Sequence, residues 1–233
     1  HINRTGITVT GLKYDLDYKI SPNFGLDVPM EQISKGNGGS CVLSAYSSSV
    51  INLNNHLTTS LGITAQYFTL NKNWTVEPRA ALKWSFNPKH ALALAYGLHS
   101  RREKLDYYFV EQKVNGKTES NRYLDFSKAH HFGLTYDWNI NSYMHLKVEP
   151  YYQYLFRIPV EENSSFSIIN HQDFYLDRIL KNRGSGVNYG IDITLEQYMK
   201  NGFYYMITAS LFKSKYKAEI TSGVIHGWTK TIS

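Results

Sequence analysis

Hydrophobic and polar residues alternate with a period of two along most of this chain, most clearly between Lys128 and Phe156. There His130, Phe132, Leu134, Tyr136 and Trp138 fall on one side, with His131, Gly133, Thr135 and Asp137 on the other. Asn139 to Ser142 form a polar break. Beyond it Met144, Leu146, Val148, Pro150, Tyr152, Tyr154 and Phe156 share a side against His145, Lys147, Glu149, Tyr151 and Gln153. A period of two puts alternate side chains on opposite faces of a sheet, so this stretch is a strand, a turn and a strand. Each strand runs for roughly ten to fourteen residues, against about five or six in an ordinary globular strand. Strands this long, apolar on one face, polar on the other and aromatic near the ends, fit a membrane-spanning β-barrel.

The same pattern recurs on both sides of this pair. From Gly6 to Ile20, Leu12, Tyr14, Leu16, Tyr18 and Ile20 alternate with Lys13, Asp15, Asp17 and Lys19. Further strands are predicted at 41–53, 57–70, 74–86, 91–99, 187–195 and 203–216. The Pro- and Gly-bearing stretch 21–40 has no period and is predicted to be a loop. So are 101–127, 157–185 and 217–233, the first with a small hairpin at Asn115-Gly116. Short turns near residues 53, 88, 140 and 201 alternate with these long connections, and only the turn near 72 breaks the order. Short turns on one rim and long loops on the other belong to outer-membrane barrels. Trp84 and Phe86, Trp138 and Tyr143, and Tyr198, Phe203 and Tyr204 flank successive short turns, as an interfacial girdle would. The tripeptide Val-Glu-Pro occurs at 76–78 and 148–150. Proline removes a ladder donor, so bulges are expected at Pro78 and Pro150.

Composition adds four constraints. Mean hydropathy is −0.39 and hydrophobic residues make up 42%. No run approaches the roughly 18 apolar residues of a transmembrane helix, which leaves a barrel open because its strands hide apolar residues by alternation. The 19 Tyr, 11 Phe and 4 Trp suit surfaces where one end of a ring is apolar and the other wet. The net charge of +6 is scattered, with no basic run of the kind that binds nucleic acid. Cys41 is the single cysteine, which excludes an internal disulfide and a Cys-based zinc site. The pattern is already under way at His1, so the expectation is a piece of a longer protein whose export signal lies upstream or has been removed.

Candidate chemistry is sparse. His130 and His131 are adjacent on a strand and point to opposite faces, so they do not chelate one ion. Glu77, Arg79, Lys83, His131, Asp137, Lys147, Glu149, Asp192 and Glu196 share the polar side and suit a wet, charge-paired wall. Arg183-Gly184-Ser185-Gly186 lacks the following helix a phosphate cradle needs. The ring cluster Tyr107, Tyr108 and Phe109, with Arg183, is the candidate for stacking on or pairing with a ligand. No catalytic set, cofactor or metal site is expected.

The segments Trp74–Ser100, Leu124–Val160 and Asn182–Lys217 resemble strand-turn-strand pieces of TonB-dependent outer-membrane receptors, those of Bacteroidetes in particular. The resemblance implies a barrel of roughly 22 strands closed by an N-terminal plug domain. It implies uptake of a scarce nutrient (an iron chelate, a vitamin or a glycan), driven through TonB by a short N-terminal box. The chain departs from that pattern in showing no plug, no TonB box and no closing strand. The expected fold is therefore all-β: residues 1–233 as an antiparallel transmembrane β-barrel segment of about nine or ten strands, open when isolated. Expected partners are outer-membrane lipid, the plug domain, TonB and the nutrient ligand, not nucleic acid. A small outer-membrane porin, a barrel enzyme and a soluble all-β binding module are the alternatives.

Overall fold

Alternation this long extends the backbone, and each strand then needs a neighbour on either side for its N–H and C=O groups. The computed structural model of the chain meets that need with a meander. It describes residues 1–21, 29–114, 116–171, 175–220 and 223–229. The strands are β1 (Ile2–Ile20), β2 (Glu31–Asn52), β3 (Leu57–Phe68), β4 (Asn73–Asn87) and β5 (His90–Arg101), then β6 (Glu111–Val114) and β7 (Lys117–Ser120). They continue with β8 (Ser127–Asn141), β9 (Met144–Glu161), β10 (Leu180–Lys200), β11 (Phe203–Ile220) and β12 (Gly223–Thr229). Ten of them form one open sheet in the order β1-β2-β3-β4-β5-β8-β9-β10-β11-β12, antiparallel throughout. β6 and β7 make the separate hairpin expected in the 101–127 connection. Gly116 in its turn has φ +77°, a backbone that glycine adopts without strain. Asn115 lies outside the described residues.

The strands outrun the sequence expectation at the end where the long connections sit. Residues 31–40 are strand rather than loop, paired from Glu31↔Ile20 to Ser40↔Leu12. Their glycines hid the period, and aromatic rings fill the space side chains would have taken. Tyr14 covers Gly38, and Phe109 covers Gly36. Likewise β9 continues to Glu161 and β10 starts at Leu180, so the 157–185 connection shrinks to 162–179. β11 continues to Ile220, and β12 replaces the loop expected after Lys217. Among the described residues the free edges are therefore β1 and β12, not β1 and β11.

Neither Pro78 nor Pro150 carries a bulge. Pairing runs unbroken through Ile63↔Pro78 and Ile191↔Pro150. On the other side the ladder lapses instead: β4–β5 pairing begins at Arg79, and β8–β9 pairing skips from Tyr151 to Val148. A proline lacks one donor, and both are placed where that donor would face the gap. Register shifts fall elsewhere, at Tyr18/Lys19, Ser85/Asn87, Asn139/Asn141, Gln197/Lys200 and twice around Gly184.

Register sorts the side chains into two faces. Row by row, Ile63, Pro78, Leu82, Leu92, Leu94, Tyr96, Phe132, Leu134, Tyr136, Leu146, Val148, Tyr152, Ile191, Ile193 and Leu211 share the outer face. Many stay exposed, among them Ile63, Leu94 and Phe132. Glu77, Arg79, Lys83, His131, Asp137, Lys147, Glu149, Asp192 and Glu196 lie on the inner face, as the alternation indicated.

On β1 the polarity of the faces inverts. Ile7 and Val9 point outward, but from Gly11 onward Lys13, Asp15 and Asp17 do. Leu12, Tyr14 and Leu16 turn inward, against the long connections. Those connections fold over the inner face at this end and build the only sizeable core among the described residues. Ile33, Val42, Phe68, Tyr107, Tyr108, Phe109, Val110, Leu124, Phe126, Ile158 and Leu180 are buried in it.

Candidate functional site

The inner face carries a trough. Gly62, Arg79, Gly97, His131 and Gln153 pair strand to strand in one row, and Ser60, Ala81, Ala95, Gly133 and Tyr151 in the next. Small side chains in the middle of both rows leave a concavity of about 690 Å³, walled by Tyr46, Arg79, His99, His131, Tyr151 and Gln153. His99 leans back over Gly97, and its ring lies 4.5 Å from that of His131. His130, next in sequence, points the other way and stacks on Phe156 at 4.9 Å, as strand alternation requires.

Polar pairing extends along the face from both sides of the trough. Glu77 is buried, and its oxygens accept from Gln66 Nε2 at 2.7 Å, from Arg79 at 2.9 Å and from Ser100 Oγ. A carboxylate out of water needs such partners. Toward the short turns, His145 meets Asp137 at 3.1 Å and Lys147 meets Glu149 at 2.7 Å. Thr135 Oγ1 also donates to Glu149 at 3.3 Å. This is a partly exposed wall of paired charges. Among the described residues no group of three or more His, Cys, Asp or Glu gathers as a metal site.

The sequence candidates lie above the trough, and they are packed rather than presented. Tyr107, Tyr108 and Phe109 form a 3-10 turn, Leu105–Phe109, whose rings are buried. Tyr108 meets Phe68 edge-on at 5.4 Å, and Phe109 meets Tyr14 at 4.6 Å. Burial pushes the Tyr108 hydroxyl up to about 12, although the Glu103 backbone N–H donating to its oxygen at 3.1 Å works the other way. Arg183 sits apart on β10, half-exposed, 3.6 Å from Glu162. Lys181 pairs with the same carboxylate and, as the main cause, holds Glu162 below the usual range. The rings and Arg183 thus do not converge on one point.

Asparagines that the sequence did not single out fix the connections in place. Asn121 is buried; its amide donates to the Arg178 carbonyl at 2.8 Å and its oxygen accepts from Leu180 N–H at 2.7 Å. Asn182 accepts from Asp125 N–H at 2.8 Å and donates to the Arg157 carbonyl at 2.8 Å. Asn71 donates to the Leu124 carbonyl at 2.7 Å. Arg157 and Asp125 add an ion pair at 2.6 Å. Asparagines carry no periodic signal, so the sequence marked Asn71 only as part of a turn and did not mark Asn121 or Asn182 at all.

The outer face bears two belts of rings. Near the short turns, Trp84 lies 5.2 Å from Phe86, Phe86 stacks on His90 at 5.7 Å, and His90 stacks on Trp138 at 5.7 Å. Toward the long connections, Tyr96, His130, Phe132, Tyr152, Tyr154 and Phe156 form the second belt, with the Tyr96 hydroxyl 3.0 Å from His130 Nδ1.

No family model matches the chain, and no curated protein matches it. Among solved structures it is similar to the RagAB peptide importer in its closed-closed state, with a TM-score of 0.56 and 12% identity. The match covers 99% of this chain and 30% of the importer chain. The chain thus spans under a third of that protein, and its sheet matches part of a larger barrel.

Proposed function

We propose that these residues form part of the barrel wall of a TonB-dependent outer-membrane receptor. The receptor takes up a scarce nutrient: an iron chelate, a vitamin, a glycan or, as in the importer with the similar fold, a peptide. The inner face lines the lumen beside a plug domain, the connections 102–126 and 162–179 lie on the extracellular side, and the outer face meets lipid. The observation that carries this reading is the spacing of the exposed indole rings at the two ends of β4. Trp74 and Trp84 both point outward on β4, both exposed and ten residues apart. Ten residues of strand span ~34 Å. At a tilt of ~40° that is a height of ~26 Å, which suits the ~25 Å apolar band of an outer-membrane barrel.

The test is uptake and placement of the full receptor. Fractionation is expected to find it in the outer membrane, and deletion of TonB to abolish accumulation of its nutrient. Cysteines placed at exposed Tyr123 or Glu162 should react with an impermeant maleimide on intact cells, and cysteines at the Asn87 or Asn201 turns should not. Recovery in the soluble fraction, or uptake that persists without TonB, overturns the reading.

A further inference from the structure

Four imidazoles along the sheet and its turns have a polar partner. His56 Nδ1 lies 2.9 Å from the Ser85 carbonyl, His90 Nδ1 2.8 Å from the Tyr136 hydroxyl, His130 Nδ1 3.0 Å from the Tyr96 hydroxyl and His145 Nε2 3.1 Å from Asp137. Among the described residues His99 and His131 make no such bond. Both rings are half-buried on the inner face, and both border the trough.

Register brings the two together. His131 pairs with Gly97, and His99 follows two residues later on the same face of β5. The His99 ring leans back over that glycine, and its Nε2 lies 2.7 Å from where a Cβ at 97 would stand. The nitrogen thus fills the space beside His131 that a larger residue would close. The two ring centres are 4.5 Å apart, with the planes inclined at 45°. A neutral imidazole has one nitrogen with a free lone pair. A metal ion is a partner that accepts from both rings at once. A metal–nitrogen bond of ~2.0–2.1 Å puts each ring centre ~3.2 Å from the ion, so two imidazoles bound at right angles have centres ~4.5 Å apart. The observed separation meets that geometry.

We infer that His99 and His131 form a binding site for a divalent transition-metal ion, such as Cu(II), Ni(II) or Zn(II), on the inner wall of the sheet. Imidazole donors select these ions over Mg²⁺ and Ca²⁺, which take oxygen. The two rings fill two coordination positions. Gln153, the cross-strand partner of His131, and Tyr151 offer oxygens to the same concavity, and water completes the shell. Arg79 also lines the trough, but its guanidinium is turned to Glu77 at 2.9 Å, and that carboxylate offsets its charge. The inference rests on the reading of the inner face as a lumen open to water, and it adds a ligand class to that wall.

The experiment uses the full receptor in detergent, purified without a histidine tag and stripped with EDTA. Cu(II) alone is titrated in, and pulsed EPR counts the imidazoles on the ion. Two imidazoles are expected at the first equivalent, a count that depends on no variant folding. H99Q and H131Q are each expected to leave one imidazole. Each should weaken binding by roughly 100-fold, since removing even an outer-shell partner costs about 10–100-fold. G97A keeps both histidines but closes the space in front of Nε2, and is expected to weaken binding as well. H130Q, on the outer face, is expected to behave as wild type. A single imidazole in the wild type, or a first equivalent unchanged in H99Q and H131Q, overturns the inference and leaves the barrel standing. A receptor recovered without detergent in the soluble fraction overturns the membrane reading as well.

Discussion

The hydroxyl of Tyr151 lies over Gly190, its direct cross-strand partner on the inner face. A Cβ at Gly190 would stand 2.8 Å from that oxygen and 2.6 Å from the carbonyl oxygen of Leu211. Tyr46 lies over its partner Gly6 and Tyr14 over its partner Gly38 in the same way. In each pair the missing side chain lets a ring lie flat along the wall. Gly133, also on the inner face, has nothing within 4 Å of its would-be Cβ. Gly190→Ala is therefore expected to destabilise the barrel by about 1–3 kcal/mol, the usual cost of overpacking. Gly133→Ala is expected to be neutral or slightly stabilising. Urea midpoints of the two folded variants in detergent measure the difference; equal midpoints would show that the ring simply swings away.

Leu134 sits midway between His130 and Trp138 on the outer side of β8, each four residues distant and each in a different aromatic belt. Leu134→Arg is expected to cost about 2–4 kcal/mol, the penalty for a cation near the bilayer midplane. Thr135→Arg, one residue on, points to the wet inner wall beside Glu149 and is expected to cost little. Refolding into vesicles at graded urea concentrations checks both. A cheap Leu134→Arg would mean that this face does not meet lipid.

What the sequence disclosed and what it concealed have separate physical causes. Strands β3, β4 and β8 were legible because one face is mostly apolar and the other mostly polar, and β5 because large apolar residues alternate with alanine and glycine. The trough was half legible: Arg79, His131 and the charged wall were placed by alternation, but Gly62 and Gly97 make it hollow only once register aligns them. The stretch 31–40 was concealed because its glycines are completed by rings from Tyr14 and Phe109, which are distant in sequence. The inward turn of Leu12, Tyr14 and Leu16 was also concealed. Alternation gives two faces but not which one is covered, and here the cover comes from connections up to a hundred residues away. Tyr107, Tyr108 and Phe109 looked available for a ligand for the same reason: a ring in a loop reads alike whether it is open or packed.

Tyr108 should set an alkaline limit on the loop cluster. Its phenol is raised from 10.0 to about 12 by burial. The neutral form is favoured in the folded state, so its contribution is complete below about pH 10 and is lost as pH rises toward about 12. Hydrogen exchange over residues 102–126 is expected to accelerate across that window. Tyr108→Phe leaves the Glu103 N–H unpaired and costs about 1–3 kcal/mol at neutral pH, but it should flatten the alkaline transition. A transition of the same size in Tyr108→Phe would assign it to another group.

Asn121 links the 102–126 connection to the start of β10 through two hydrogen bonds, one part-buried at the Arg178 carbonyl and one buried at the Leu180 N–H. Asn121→Leu keeps much of the volume but leaves the Arg178 carbonyl and the Leu180 N–H without it, an expected loss of about 1–3 kcal/mol for each buried group left unpaired. Asn121 meets the sheet at Leu180, the first residue of β10. Limited proteolysis is therefore expected to cut faster within 102–126 and 162–179 while the melting of the sheet changes little. If sheet and loops lose stability together, the cluster and the wall fold as one unit.

Among the described residues the ten-stranded sheet ends at β1 and β12, and its order does not return to β1. Each edge leaves a row of backbone N–H and C=O groups without ladder partners, and such edges recruit other strands. In lipid each unpaired group costs several kcal/mol, because no water replaces the missing partner. The mixed charges of Lys13, Asp15, Asp17 and Lys19 protect only the far part of β1; from Ile2 to Val9 that edge carries exposed Ile2, Ile7 and Val9. Residues 1–233 produced alone are therefore expected to associate through these edges or to insert only as higher assemblies. Size-exclusion chromatography with light scattering in detergent should show broad, concentration-dependent species. Planar bilayers exposed to the chain should show no uniform conductance step. A monodisperse monomer whose mobility changes on heating, or repeated identical steps, would demonstrate a closed small barrel. β1 and β12 would then have to pair, and the assignment to a larger receptor would fall.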